Sequence, residues 1–223
     1  MTTFVLLHGA WHGGWCWDRV APLLREAGHE VHAPTLTGLS ERAHLLSPLV
    51  GLDTHVEDVV RLIDTFGLTG VVLVGHSYAG QIVTGVTDRR PEAIARRVYL
   101  DAFVGADGEA ARDLLPETVE HHWAESAAEQ GFGWLVPVRK LSVLGVTEQA
   151  DVGWLTPRTE SLRTGTSQPN PCSAADSAQW CSTVSGSRSR AASPSEPTNA
   201  SRYTRCAIAC GRRSATAVTI CPA

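Results

Sequence analysis

An α/β fold, with a parallel sheet covered by helices on both faces, follows from three features of this sequence. Four short apolar runs lack the polar alternation of a half-exposed strand, helical patterns separate them, and turn or capping residues mark the joins. Strands buried on both faces read as near-continuous Val, Ile and Leu because neither face meets water.

The elements follow in order. Phe4-Val5-Leu6-Leu7 is a short buried strand, and residues 17–27 carry Val20, Leu23 and Leu24 at helical spacing, with Gly28 as the C-cap. Residues 30–33 form a strand that Pro34 ends. Asp53 is suited to cap a helix whose apolar positions are Val56, Val59, Val60, Ile63 and Phe66, and Gly67 closes it. Val71-Val72-Leu73-Val74 is the next strand, residues 79–87 the next helix, and Arg97-Val98-Tyr99-Leu100-Asp101 a fourth strand.

Residues 1–106 therefore read as the core. Residues 107–163, rich in Trp, Glu, Leu and Ala, read as a helical cap over the C-terminal edge of the sheet. Residues 164–223 change to Ser, Thr, Ala, Arg, Pro and Cys without sustained periodicity, and so read as a low-order tail with too little to bury. On this reading the C-terminal strands are missing or scrambled, which leaves residues 97–101 as an exposed edge.

Composition limits the function. The 223 residues, 43% hydrophobic with net charge −4, suit one globular domain and give no basic surface for nucleic acid. No run of about 18 apolar residues could span a membrane, and no basic-then-apolar leader opens the chain, so a cytoplasmic protein without a membrane partner is expected. Cys16 stands alone in the first 171 residues. Cys172, Cys181, Cys206, Cys210 and Cys221 crowd the rest without a matching histidine or second pair, which argues against zinc. No cofactor or metal is expected.

The run Gly75-His76-Ser77-Tyr78-Ala79-Gly80 ends the third strand and carries the chemistry. A serine hydroxyl becomes a useful nucleophile on a sharp strand-to-helix turn, where the following backbone N–H can face an oxyanion. Small flanking residues let two backbones approach. Ala79 stands where the G-x-S-x-G pattern has its last glycine, and Gly80 follows one residue late. Ser77 is the expected nucleophile; the plainer alternative is a tight structural corner.

All nine histidines lie at or before His122. Serine hydrolases built on such a turn place the triad in the order Ser, then Asp or Glu, then His. No catalytic histidine is found in that position here.

With the elbow, the segment His8-Gly9-Ala10-Trp11-His12-Gly13-Gly14-Trp15-Cys16-Trp17 and the strand Tyr99-Leu100-Asp101-Ala102-Phe103, the chain resembles the α/β-hydrolase family. More narrowly, it is similar to the hydroxynitrile lyase and plant methylesterase branch and its bacterial relatives, over roughly residues 3–163. The resemblance implies that the Ala10 and Tyr78 N–H groups form the oxyanion hole. Loss of one such donor costs about 10² to 10³ in rate. It also implies a late acid and a Gly-His segment, neither of which is present. Asp101 is the candidate acid; the plainer reading is a strand-end aspartate that satisfies local backbone.

His12, Trp11 and His76 are candidate pocket residues, with His76 turned away from the serine beside it. His121 and His122, behind Glu117 and Glu120, read as an exposed helix face. The tryptophans Trp11, Trp15, Trp17, Trp123, Trp134 and Trp154 suit core and pocket walls for a small apolar or aromatic group. The expected function is a carboxylesterase acting on a small ester, crippled by the absent histidine. The alternatives are hydroxynitrile lyase-like C–C cleavage, for which no pocket lysine is recognisable, and non-catalytic binding of an aromatic acid or an inactive product.

A shift of reading frame near residues 158–166 would account for the tail. Arg outnumbers Lys 18 to 1, which suggests GC-rich coding, and wrong phases of such DNA tend to yield Arg, Ala, Ser, Pro and Cys. Translation of the encoding DNA in its other two phases should then reveal a Gly-His segment.

Overall fold

The computed structural model describes residues 1–104 and 146–160, Leu114, and the strand segments 135–136, 168–169 and 218–222. The expected positions of His121, His122, Trp123 and Trp134 lie outside these residues.

Five strands form the main sheet: Thr3–Leu7 (β1), Glu30–His32 (β2), Val71–His76 (β3), Ile94–Leu100 (β4) and Val218–Pro222, the seventh strand in chain order (β7). Their spatial order is β2-β1-β3-β4-β7. The first four run parallel, with Phe4 opposite both Val31 and Val72, and Val74 opposite Val98. Leu135–Val136 (β5) and Gln168–Pro169 (β6) make a separate antiparallel pair.

The strand residues alternate between two cores. Val5, Leu7, Val71 and Leu73 face one side, where helices Leu52–Phe66 (α2) and Ala79–Arg89 (α3) bury Val56, Val59, Ile63, Ile82 and Val83 against them. Leu6, Val72 and Val74 face the other side and meet Trp17 and Ala21. Burial of each such Val or Leu contributes about 1.5 to 3 kcal/mol. This is why the strands are apolar on both faces.

β4 is not left as the expected exposed edge. Val218–Pro222 pairs with it antiparallel, with Ile220 opposite Val98 and Thr219 opposite Tyr99. The run Val218-Thr219-Ile220 is β-branched and suits a pleated surface, a local signal outweighed by the aperiodic composition around it. The sheet is thus parallel except at this edge.

Local boundaries also differ. Residues 17–27 do not form one helix: a 3-10 turn spans Gly14–Trp17 and a short helix spans Ala21–Glu26 (α1), with Pro22 in its first turn. Gly28 does adopt the left-handed conformation after it, at φ 82°. The N-cap of α2 is Gly51 rather than Asp53, and the Gly51 N–H donates to Thr54 Oγ1 at 3.4 Å. Asp53 instead lies within the first turn and pairs with Arg89 of α3. Phe66 is 63% exposed, because at the last residue of α2 the stripe has turned off the sheet. Gln149–Glu160 (α4) is the described helix of the cap region. Among the described residues no helix is long and apolar enough to cross a membrane.

Candidate active site

Ser77 stands between β3 and α3 with φ 53°, a left-handed conformation that a residue bearing a Cβ adopts only when its surroundings enforce it. Three backbone hydrogen bonds do so. The Ser77 N–H donates to Leu100 O at 3.2 Å, and Ser77 O accepts from Gly80 N at 3.1 Å and Phe103 N at 3.0 Å. Ser77 is half-buried.

The close approaches explain the imperfect motif. A Cβ on Gly75 would lie 2.6 Å from Val83 Cγ2 and 2.7 Å from Ala79 O, so strand and helix meet there without room for a methyl. Ala79 is fully buried and its methyl is accommodated. Gly80 of the same turn is crowded as well, since a Cβ there would sit 2.4 Å from Phe103 O.

The turn after β1 lies directly against the serine. A Cβ on Gly9 would be 3.1 Å from both Ser77 Cβ and His76 Nδ1, which places the Gly9–Ala10 peptide beside the elbow. His8 is fully buried behind it. Its Nδ1–H donates to Gly9 O at 2.8 Å, and Nε2 accepts from the Leu36 N–H at 3.1 Å. Burial drives the His8 pKa down to about 3, so the ring is neutral and holds one tautomer.

Trp11 is buried at φ 61°. The His12 Nδ1–H donates to Ala10 O at 2.6 Å, and its ring lies 5.5 Å from Trp15 and 6.3 Å from His76. Burial lowers the pKa of both histidines. The row of rings continues outward, with Trp154 of α4 set edge-on 5.4 Å from Trp15. Arg19 and Arg158 lie 4.5 Å and 5.0 Å from the Trp154 ring, and Arg19 also pairs with Asp151 at 2.5 Å.

Asp101 follows β4 at φ 44° and is exposed. Its charge works against burial at His76, raising that pKa, and it makes no hydrogen bond to an imidazole among the described residues. The described histidine rings that hydrogen-bond reach Gly9, Ala10, Glu30, Leu36, Thr37 and Tyr78 Oη, and none reaches Ser77.

A cavity of about 470 Å³ opens elsewhere, beside Trp15, Trp17, Arg25 and Glu41, and neither Ser77 nor Ala10 lines it. Burial pushes the Cys16 thiol up to about 12, which removes it as a nucleophile. Among the described residues no group of three or more His, Cys, Asp or Glu is placed to hold a metal.

Sequence reasoning missed His55, Thr37 and Asp58. His55 is 2% exposed on α2, where it interrupts the apolar stripe beside Val56; a polar residue on a buried face was the available signal. Its ring joins Thr37 O to Tyr78 Oη, both at 2.9 Å. Thr37 in turn donates to Asp58 through its N–H at 2.7 Å and its hydroxyl at 2.8 Å.

The chain is similar in sequence and in fold to known proteins. A carbendazim hydrolyzing esterase of Nocardioides sp. (strain SG-4G) is 51% identical over 119 residues, which cover 53% of this chain and 49% of that protein. Methylesterase 2 of Arabidopsis thaliana is 32% identical over 131 residues, 58% of this chain and 48% of that one. A pyrethroid hydrolase of Sphingobium wenxiniae is 32% identical over 120 residues, 53% of this chain and 40% of that one. The chain thus spans about half the length of the curated relatives it matches. An extracellular alpha/beta-hydrolase from a Paenibacillus species shares the fold, with a TM-score of 0.66 at 24% identity over 78% of this chain and 68% of that one. The model of the alpha/beta hydrolase family matches residues 4–206, past the point where the sequence motifs fade. With nearly the whole chain so matched and its relatives in the methylesterase branch, the protein belongs to the alpha/beta hydrolase family.

Proposed function

We propose that Ser77 is the nucleophile of a carboxylesterase site for a small ester, and that the chain as written turns over slowly for want of a base. The observation that carries this reading is the φ of 53° at Ser77, held by three backbone hydrogen bonds with Gly9 packed against the side chain. Left-handed backbone enforced at a serine, where two chain segments converge, marks a functional turn. Relatives named as a methylesterase, a pyrethroid hydrolase and a carbendazim hydrolyzing esterase support ester chemistry.

In this reaction Ser77 Oγ adds to the ester carbonyl carbon while its proton passes to a base. The carbonyl oxygen becomes an oxyanion facing the Ala10 and Tyr78 amides, and the alkoxide leaves with a proton. Water then hydrolyses the acyl-serine by the same steps. The start of α3 favours the oxyanion further, because the first amides of a helix lack intrahelical partners and carry its positive end. No histidine follows His122 to shuttle the proton. What remains is the residual catalysis of oxyanion hole and binding.

With p-nitrophenyl acetate, the chain and its Ser77→Ala variant should therefore hydrolyse at indistinguishable low rates. Added imidazole should accelerate the unmutated chain beyond its reaction in free solution and give Ser77→Ala no more than that free-solution rate. Activity without imidazole that Ser77→Ala abolishes would reveal a base within the chain and overturn the slow-turnover half. Failure of imidazole to distinguish the two proteins would overturn the nucleophile.

The row Trp154, Trp15, His12 and His76 favours a second reading, non-catalytic binding of a small aromatic acid. Quenching of tryptophan fluorescence by salicylate or benzoate, lost in Trp15→Ala, would support it.

A further inference from the structure

We propose that His55 is a positioning residue for the oxyanion site, acting through the Tyr78 hydroxyl, an inference that rests on the esterase reading above. Tyr78 follows the serine, begins the turn into α3, and is 4% exposed. Its amide is one of the two proposed oxyanion donors, so whatever fixes its side chain also fixes where that N–H points.

The ring of His55 does this. A carbonyl oxygen only accepts, so the bond to Thr37 O places the hydrogen on Nε2 and leaves Nδ1 to accept from Tyr78 Oη–H. The two rings also meet edge-to-face, 5.7 Å apart. A buried imidazole with both nitrogens bonded has one orientation, and breaking either bond leaves a desolvated polar group.

The partner at the other end matters as much. Thr37 O holds His55, and the adjacent Leu36 N–H is the donor to His8, whose ring holds Gly9 O ahead of Ala10. Both proposed amide donors thus hang on one short stretch, residues 36–37. Asp58 grips it from α2 by accepting from the Thr37 amide and hydroxyl, and Thr35 Oγ1 accepts from the Gly14 N–H. His55 closes this circuit on the elbow side. Small errors in such geometry are costly, since a misplacement of about 1 Å can lose 10²-fold in rate.

The test is the labelling of Ser77 by an alkyl fluorophosphonate with imidazole in the buffer, followed by intact mass. The Ser77 oxygen bonds phosphorus, fluoride leaves with the electron pair, and the hydroxyl proton passes to imidazole. In Tyr78→Phe, which removes one oxygen, and in His55→Leu, the limiting labelling rate should fall about tenfold with half-saturating probe concentration unchanged, less than the about 10² to 10³ that loss of a donor costs. His55→Gln, whose amide can still accept from tyrosine, should recover part of the rate. The double variant His55→Leu/Tyr78→Phe should be no slower than His55→Leu alone, as expected for one shared interaction. A Tyr78→Phe protein that melts normally and labels at the unmutated rate would overturn the positioning role. Absence of labelling at Ser77 in the unmutated chain would instead remove the esterase reading and this inference with it.

Discussion

Gly80→Ala is expected to lower the unfolding free energy by about 3 kcal/mol, at the top of the range for overpacking a tight site. The added methyl would sit 2.4 Å from Phe103 O and 2.8 Å from Ala102 Cβ. Neither can retreat freely, because the Phe103 N–H is bonded to Ser77 O at 3.0 Å and the strain would pass to the elbow. Ala79→Gly is the control. It removes one fully buried methyl and adds glycine to a helix, together a cost of about 2 kcal/mol. Urea midpoints of the two variants decide the matter, and a larger loss in Ala79→Gly would refute the account of which residue the turn requires to be glycine.

Acid should destabilise the protein well above the range where its carboxylates titrate. His8 is neutral in the fold with a pKa of about 3, while the unfolded chain binds a proton at the ordinary value of 6.5. Between those values the unfolded state holds the extra proton, so stability falls as pH falls through this window and is whole above it. Each unit costs about 1.4 kcal/mol, so His8 alone should lose about 2 kcal/mol between pH 7.5 and pH 5. Burial lowers the pKa of His12, His55 and His76 as well, which acts in the same direction. Urea midpoints at these two pH values measure the loss. Equal midpoints would mean that these rings are hydrated or charged in the native protein.

The turn that carries the candidate site is legible in the sequence. The elbow could be read because its signal is local: an apolar strand, a serine and small residues in consecutive positions. The caps at Gly28 and Gly67 were readable for the same reason, and both adopt left-handed backbone, at φ 82° and 59°. The bond from the Leu36 N–H to His8 was not legible, since it joins residues 28 apart. Residues 17–27 do not form one helix because Trp17 serves the sheet's second core while Pro22 restarts the chain as α1. Asp53 looked like a cap from its neighbours alone; its pairing with Arg89 belongs to α3.

The chain order of short-range patterns was enough to specify the strands β1 to β4, the helices α2 and α3 and the position of the serine. Period, capping and turn chemistry act over a few residues, and a linear reading has access to all of them. Tertiary structure alone decided that Gly80 rather than residue 79 bears the close approach, that His55 reaches Tyr78, and that Val218–Pro222 lies antiparallel against β4. Each of these joins segments far apart in the chain, where packing space and the need to satisfy buried polar groups select the partner.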